Sequence, residues 1–166
     1  MKPPKAVLIS MLATVAITIN VAAITTSAHR SQKETRMSNH ASGTFEVKIT
    51  PQDDKTAEGL GRMTIAKQIH GDLEATSAGQ MLTAMTKVEG SAVYVAVERV
   101  EGTLHGRHGS FMLHHLGMMN RGTQQLTITV VTDSGTDQLV GITGTMTIKI
   151  EGGKHSYDLE YTLPDQ

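Results

Sequence analysis

The chain contains no cysteine and no tryptophan, and its aromatic side chains are limited to three tyrosines and two phenylalanines. Without cysteine, disulfide bonds, thiolate nucleophiles and the cysteine ligands of structural zinc are excluded. The 15 Lys and Arg nearly balance the 16 Asp and Glu, so no strongly basic surface is expected. Because there are also few aromatic rings to stack on bases, nucleic acid is not an expected partner.

The sequence also lacks the common motifs of catalytic and cofactor sites. It has no G-x-S-x-G nucleophile motif, no G-x-x-x-x-G-K-S/T phosphate loop and no H-E-x-x-H zinc motif. Histidines are frequent between residues 105 and 115, but neighbouring residues of a strand point to opposite faces, so His114 and His115 cannot line one site. We therefore expect neither a cofactor nor a metal ion.

Residues 1–28 have the features of a secretory signal peptide. Two lysines precede the apolar run 6–24, and Ala28 completes the small-residue spacing of a cleavage site. This pattern predicts a secreted or periplasmic protein, with an uncleaved membrane anchor as the alternative, and contact with a membrane is expected only through this leader. A third interpretation is a translational start at Met37, which would leave a cytoplasmic domain without a leader.

The rest of the chain is predicted to be a disordered polar linker, residues 29–42, followed by one domain, residues 43–166. In this domain, eight short segments alternate between apolar and polar residues and are separated by glycine-rich turns, as is typical of antiparallel strands. One turn, at residues 133–135, is predicted to join strands over 125–131 and 139–150. Helical periodicity is absent and the connections are short, which predicts an all-β fold, an eight-stranded up-and-down barrel that closes on itself.

A turn at residues 152–153 gives the clearest strand pairing. Its two glycines suit the positive φ angles of a two-residue hairpin turn. The turn predicts that Ile148 lies opposite Tyr157 and that Met146 lies opposite Leu159. One face of this hairpin is therefore almost wholly apolar.

A second hairpin is predicted around a turn at residues 102–103, which places Glu98 opposite Arg107 and Tyr94 on the same face as Phe111. If this face lines the barrel lumen, burial would raise the pKa of the Glu98 carboxyl and suit it to proton transfer, whereas the guanidinium would lower that pKa. A plain ion pair between neighbouring strands is the alternative interpretation.

A third turn is predicted at residues 71–72. It places Lys67, Glu74 and Thr76 on a common face. Gln68 and Glu74 then lie near the mouth of the barrel, where they are candidates for ligand binding. A solvent-exposed turn explains these polar residues as well.

Methionines and aromatic residues make up much of the expected interior. Seven methionines are either gap-filling core residues or the lining of a cavity for apolar guests: Met63, Met81, Met85, Met112, Met118, Met119 and Met146. Tyr94, Phe111, Tyr157 and Tyr161 are expected to be buried, as core residues or as walls of a ligand cavity. His115 shares a face with Phe111, and it is either an acid or base in the lumen or a hydrogen-bonded core histidine.

Four segments of the domain are similar to a known family. They are ASGTFEVKITP from Ala41, LGRMTIAKQIHGDLEATSAGQML from Leu60, YVAVERVEGTLHGRHGSF from Tyr94 and GITGTMTIKIEGGKHSYDLEYTLP from Gly141. Together they resemble a bacterial family of uncharacterised proteins whose members look like barrels of the allene oxide cyclase type. The resemblance implies the same eight-stranded closed fold. It implies no reaction, because no motif here matches the active-site residues of the plant cyclases.

Two functions follow as hypotheses. In the first, the lumen binds a small apolar molecule and confines it for storage or for an isomerisation or cyclisation. Glu98 and His115 are the catalytic candidates, and the ligand-binding candidates are Tyr94, Arg107, Phe111, Tyr157, Tyr161, Gln68 and Glu74. In the second, the lumen is filled, and Val93, Val95 and Val97 on the outer face make the protein a structural or stress-related module that acts through homo-oligomers or other partners.

Overall fold

The structure, a computed structural model, describes residues 38–53 and 57–164. Its strands are Asn39–Pro51 (β1), Leu60–Gly71 (β2), Leu73–Met85 (β3), Ala92–Leu104 (β4), Arg107–Asn120 (β5), Thr123–Val130 (β6), Thr143–Glu151 (β7) and Lys154–Thr162 (β8). Each strand pairs antiparallel with the next, and β8 pairs with β1, so the sheet closes into an up-and-down barrel. The predicted fold class is confirmed.

Some of the predictions fall at or beyond the limits of the described residues. The predicted leader, residues 1–28, and the alternative start at Met37 lie outside them. β1 begins at Asn39, ahead of the domain start predicted at residue 43. Between residues 38 and 164, the parts that the structure describes contain one short 3-10 helix, Asp137–Leu139, and no helix with the length and hydropathy of a membrane span.

Alternation of residue type along each strand decides which side chains enter the barrel. In β4, Ala96 and Glu98 are buried, whereas Val95 and Val97 are exposed. Successive side chains of a strand point to opposite faces, so residues of one parity fill the lumen and residues of the other parity meet solvent. This parity places the candidate functional residues.

The pairing predicted for the last hairpin is confirmed. Ile148 lies opposite Tyr157 and Met146 lies opposite Leu159. Gly152 has a φ angle of 56° and the next glycine one of 78°, the left-handed pair that a tight hairpin turn between twisted strands requires.

The turn predicted at residues 102–103 is wrong. The chain turns instead at His105 and Gly106, whose φ angles are 47° and 79°, and Leu104 pairs with Arg107. Gly102 lies within β4, packed so closely on Ala75 that a side chain there would collide with it. The residue opposite Glu98 is consequently Leu113 and not Arg107.

This correction leaves the predicted faces unchanged. The partner of Glu98 moves along β5 by an even number of residues, and side chains repeat their direction every second residue. Phe111 and His115 therefore still share the lumen face with Glu98. Arg107 keeps the same parity, but it lies exposed at the start of β5, opposite Leu104 and not Glu98.

The turn predicted at residues 71–72 is one residue too short. Ile69 pairs with Ala75, and Lys67 pairs with Ser77. A slip of one residue moves a side chain to the other face of a sheet. Lys67 therefore points into the barrel beside Ser77, while Glu74 is exposed outside, and the common face predicted for them is wrong.

The connection between β6 and β7 closes one end of the barrel. A tight turn at residues 133–135 was expected there, with a strand from Leu139, but residues 131–142 form a longer segment that contains the 3-10 helix. Thr136 bonds to Ser110 on β5 through its backbone and hydroxyl groups. Leu139 and Ile142 are buried in the main core, at what we call the closed end.

The opposite end, which we call the open end, leaves apolar lumen residues in contact with solvent. Met85, Leu126 and Ile150 are all exposed there. Within the described strands, β6 and β7 pair at only two positions: Ile128 with Met146, and Thr129 with Thr145. No ladder joins the two strands beyond these pairs, so the lumen opens towards solvent at this end.

Candidate functional site

Four polar side chains meet inside the barrel, one from each of four consecutive strands. Lys67 comes from β2, Ser77 from β3, Glu98 from β4 and His115 from β5. Each has the inward parity of its strand, and apolar lumen residues flank the group along the strands. We call these four residues the polar cluster.

Glu98 is the centre of the polar cluster. Its Oε1 atom accepts hydrogen bonds from Lys67 Nζ at 2.6 Å and from His115 Nε2 at 2.8 Å, and its Oε2 atom accepts one from the Ser77 hydroxyl. Only 1% of Glu98 is exposed. Gly79 lies opposite it on β3, where any side chain would collide with the Glu98 Cβ, so this glycine makes room for the carboxylate.

The electrostatic state of Glu98 results from opposing effects. Burial raises the pKa of a carboxyl group, because it disfavours the charged form. Hydrogen bonds from His115, Lys67 and Ser77 and the positive charge of Lys67 outweigh burial, and they lower the pKa of Glu98 from 4.5 to about 2. The carboxylate is therefore charged at neutral pH, in the interior of the barrel.

The second ring nitrogen of His115 is accessible. Among the described residues, every side-chain nitrogen or oxygen that solvent cannot reach has a hydrogen-bond partner. Nε2 of His115 bonds to Glu98, but Nδ1 makes no hydrogen bond within this part of the chain. It follows that Nδ1 lies against space that a water molecule can enter, although the residue as a whole is buried.

Tyr94 lies nearer the open end, on the same face of β4 as Glu98. It is opposite Gly117, and its ring covers this glycine so closely that a side chain there would overlap the ring. Burial, and then the negative charge of Glu98, raise the pKa of the Tyr94 phenol. Within residues 38–53 and 57–164 the phenol oxygen has no hydrogen-bond partner, so a protonated hydroxyl group is available for one.

A pocket of about 340 Å³ lies at the open end. We call it the open-end pocket, and its lumen-facing lining consists of Met63, Thr83, Met85, Ala92, Tyr94, Gly117, Met119, Gln124 and Leu126. Its volume is at the lower end of the range of small-molecule sites, and its surface is mostly apolar, as in such sites. Tyr94 and Gly117 are the next lumen-facing residues after Ala96 and His115, so the pocket begins one lumen position away from the polar cluster.

The structure brings three of the predicted site residues to this region. Glu98 and His115, the catalytic candidates, are hydrogen-bonded to each other. Tyr94 lines the open-end pocket and is half-buried. These three residues therefore form one continuous region of the lumen.

The aromatic candidates at the closed end are buried, as expected, but they belong to the main core. Phe111, Tyr157 and Tyr161 pack there, away from the open-end pocket. The Tyr157 hydroxyl accepts a hydrogen bond from the Leu73 backbone at 3.0 Å, and that of Tyr161 pairs with a ring nitrogen of His105 at 2.8 Å.

The remaining ligand-binding candidates are exposed to solvent, away from the open-end pocket. Gln68 and Glu74 are exposed, and Glu74 accepts a hydrogen bond from the Gly71 backbone in the turn. Arg107 is exposed as well. In the described ranges, no three His, Asp or Glu side chains are grouped closely enough to hold a metal ion.

Two members of the polar cluster, Lys67 and Ser77, were not among the predicted site residues. A signal for Lys67 was present, because it has the same strand parity as the apolar residues Ile65 and Ile69 and is therefore a charge on a buried face. Ser77 alternates with Ala75 in the same way on β3. The incorrect register at residues 71–72 concealed that both face Glu98.

The outer surface of β3, β4 and β5 carries a second apolar region. Val93, Val95 and Val97 are exposed along β4, as predicted. The pairing places other exposed apolar side chains beside them, so that Leu82, Val95 and Leu116 form one row across three strands. We call this region the outer apolar face.

The chain is thus an eight-stranded antiparallel barrel with a charged cluster in its lumen and one accessible end. The model of a family described as "Protein of unknown function (DUF3224)" matches residues 41–161, and this chain belongs to that family. A solved structure of a DUF3224 protein of unknown function from Shewanella oneidensis MR-1 is 46% identical and has a TM-score of 0.72. The similarity covers 77% of this chain and 100% of the Shewanella chain. No curated protein matches. The predicted membership of an uncharacterised family is confirmed.

Proposed function

We propose that this protein binds a small, largely apolar molecule in the open-end pocket. The observation that carries the proposal is the pocket itself, about 340 Å³ in volume, apolar in its lining and bounded by a phenol that has no partner within the described chain. Apolar lumen residues such as Met85 and Leu126 are exposed here. Covering such surface with an apolar guest contributes roughly 25 cal/mol per Å².

The lining also suggests the chemistry of the guest. Met63, Met85 and Met119 have flexible, polarizable side chains that adapt to guests of different shape. The Tyr94 hydroxyl adds a single directional hydrogen bond. A compact apolar molecule that carries one hydrogen-bonding group fits this lining best.

Titration with the apolar fluorescent dye N-phenylnaphthylamine tests the proposal. The test variant is Met119→Lys, inside the pocket, and the matched control is Met112→Lys, on the outside of the same strand. These methionines are 38% and 37% exposed, so the two substitutions differ in the face that they alter. We expect Met119→Lys to weaken dye binding by about tenfold or more, because the ammonium group enters an apolar site, and the control to bind as the native protein does.

Two results would contradict the proposal: native protein that does not bind the dye, or equal affinities for the two variants. Native mass spectrometry of protein purified from its own host provides a second measurement. A retained small molecule is expected there, and it should be lost from the Met119→Lys variant but not from its control.

The outer apolar face supports a second candidate function. Contiguous exposed apolar surface on a soluble domain commonly marks an interaction site. Val95 lies at the centre of this face, between Leu82 and Leu116. We infer that the face associates with a second copy of the barrel, which is compatible with ligand binding at the open end.

A further inference from the structure

We propose that the open-end pocket is a catalytic site for proton transfer on a small, mostly apolar carbonyl compound, with His115 as the base and Tyr94 as the hydrogen-bond donor to the carbonyl oxygen. This inference rests on the proposed ligand binding and gives it a substrate class and a reaction. Three observations carry it: the tautomer that Glu98 imposes on His115, the availability of Tyr94 in the pocket lining, and the position of His115 one lumen residue from Gly117 of that lining.

The polar cluster fixes how His115 is presented. Because the Glu98 carboxylate can only accept a hydrogen bond, Nε2 of His115 must carry the proton in their 2.8 Å contact. In the neutral ring, Nδ1 then has the lone pair, and this is the nitrogen that solvent reaches. Lys67 and Ser77 hold the carboxylate in turn, so three side chains together fix Nδ1 as the ring nitrogen with the free lone pair.

Tyr94 supplies a donor in the same part of the lumen. Tyr94 pairs with Gly117, which is the next lumen residue after His115 on β5. Since Gly117 has no side chain, the Tyr94 ring lies over the β5 backbone at that position. A guest bonded to the phenol through its carbonyl oxygen therefore lies one lumen position from His115.

The reaction that this arrangement suits is the shift of a double bond in an unsaturated ketone. The Nδ1 lone pair takes a proton from the carbon next to the carbonyl group, and the electrons of that C–H bond form the double bond of an enolate. Tyr94 stabilises the negative oxygen. The imidazolium, paired with Glu98, then returns the proton to the far carbon of the double bond. One C–H bond breaks, one forms, and no other reactant is consumed.

The test uses β,γ-unsaturated cyclohexenone, whose conversion to the conjugated isomer is followed by ultraviolet absorbance. Its binding is measured separately by ligand-observed NMR. His115→Gln keeps a polar side chain but removes the base, and Tyr94→Phe keeps the ring but removes the hydroxyl group. We expect the native protein to isomerise the ketone and each variant to lose about a hundredfold in rate. His115→Gln should bind the ketone within about twofold of the native affinity, and Tyr94→Phe should bind it up to about tenfold more weakly because one hydrogen bond is lost.

Nitrogen NMR of the native protein tests the orientation without any substitution. Nε2 of His115 is expected to be protonated and Nδ1 unprotonated, and the opposite tautomer would overturn the inference even if the variants do not fold. Ketone binding without isomerisation, or full activity in His115→Gln, would also overturn it and leave the binding proposal intact. If the dye binds and the ketone does not, the substrate class is wrong. If neither binds, the proposed function itself fails.

Discussion

Glu98 is a charged residue in a barrel interior, and its energetic role follows from its partners. An isolated carboxylate there would be strongly destabilised, whereas three hydrogen bonds and the Lys67 ammonium group keep this one ionised. Removing one member of such a group leaves the others without their partner. The residue therefore stabilises the fold as well as orienting His115.

The depressed pKa of Glu98 predicts an acid-sensitive component of stability. The folded-state pKa, about 2, lies below the ordinary value of 4.5, so the unfolded chain binds a proton first as the pH falls. The contribution, roughly 3 kcal/mol, is complete above about pH 4.5 and is lost as the pH approaches 2. Urea unfolding of Glu98→Gln, measured from neutral pH down to about pH 3, should therefore show a flatter dependence of unfolding free energy on pH than the native protein shows.

Glu101→Gln is the matched control for that measurement, because Glu101 is an exposed carboxylate on the same strand. Its variant should keep the native pH dependence. At neutral pH, Glu98→Gln should also be less stable by about 3–5 kcal/mol, since it leaves the Lys67 charge buried without its counter-ion. Identical pH profiles for native protein and Glu98→Gln would show that Glu98 is not the source of the acid-sensitive component of stability.

At this scale, strand parity predicted which side chains share a face of the sheet, but not which face is the lumen or which side chains touch. Glu98 and His115 share a face in any register that preserves parity. Whether their side chains are close enough for a hydrogen bond depends on the exact register, which parity does not give. Arg107 was chosen as the partner of Glu98 because the turn was placed three residues early. The register error at residues 71–72 grouped Lys67 with the exposed Glu74 and not with Ser77.

Among the elements, the strands and their order were predictable, and their registers only in part. Gly152 and its neighbour form an unambiguous turn because no other residues nearby can take two positive φ angles easily. Gly102 misleads, because a glycine inside a strand looks the same in sequence as one in a turn. His105 takes the left-handed conformation, which non-glycine residues adopt less often, so the sequence does not mark it as a turn residue.

The seam between β6 and β7 predicts where the barrel opens first. The start of β6, residues 123–127, bonds to β5 on one side but has no ladder to β7 on the other. Hydrogen exchange followed by NMR should show the amides of residues 123–127 and 147–151 exchanging roughly tenfold or more faster than those in the middle of β4.

Bound ligand provides the control for this experiment. Leu126 lines the open-end pocket, so the apolar dye should slow exchange in residues 123–127 and leave the β4–β5 turn at residues 105–106, at the closed end, unaffected. Uniform exchange across all eight strands would mean that β6 and β7 are held together by more than their two paired positions.

For the whole molecule, the outer apolar face predicts self-association. Val95→Lys places a charge in the centre of that face without touching the lumen, since Val95 has outward parity. We expect native protein to form dimers or larger species at micromolar concentration in analytical ultracentrifugation. Val95→Lys should raise the dissociation constant of the dimer by about tenfold, so that more of the protein is monomeric.

Thr145→Lys is the matched control, because Thr145 is exposed on β7, away from β3, β4 and β5. It should associate as the native protein does. Monomers throughout, or equal effects of the two lysines, would remove the outer apolar face as an interface. Neither outcome would affect the open-end pocket, whose lining is separate from Val95.

The adjacency of β1 and β8 has a practical consequence. Asn39 is paired with Tyr161, so the chain enters and leaves the barrel side by side, at the rim where Leu139 and Ile142 seal the interior. A tether joined just before Asn39 or just after Thr162 would hold the molecule by its sealed base. On a sensor surface, barrels immobilised in this way would all expose their open ends to the flowing solution, so that small compounds in it could reach the pocket.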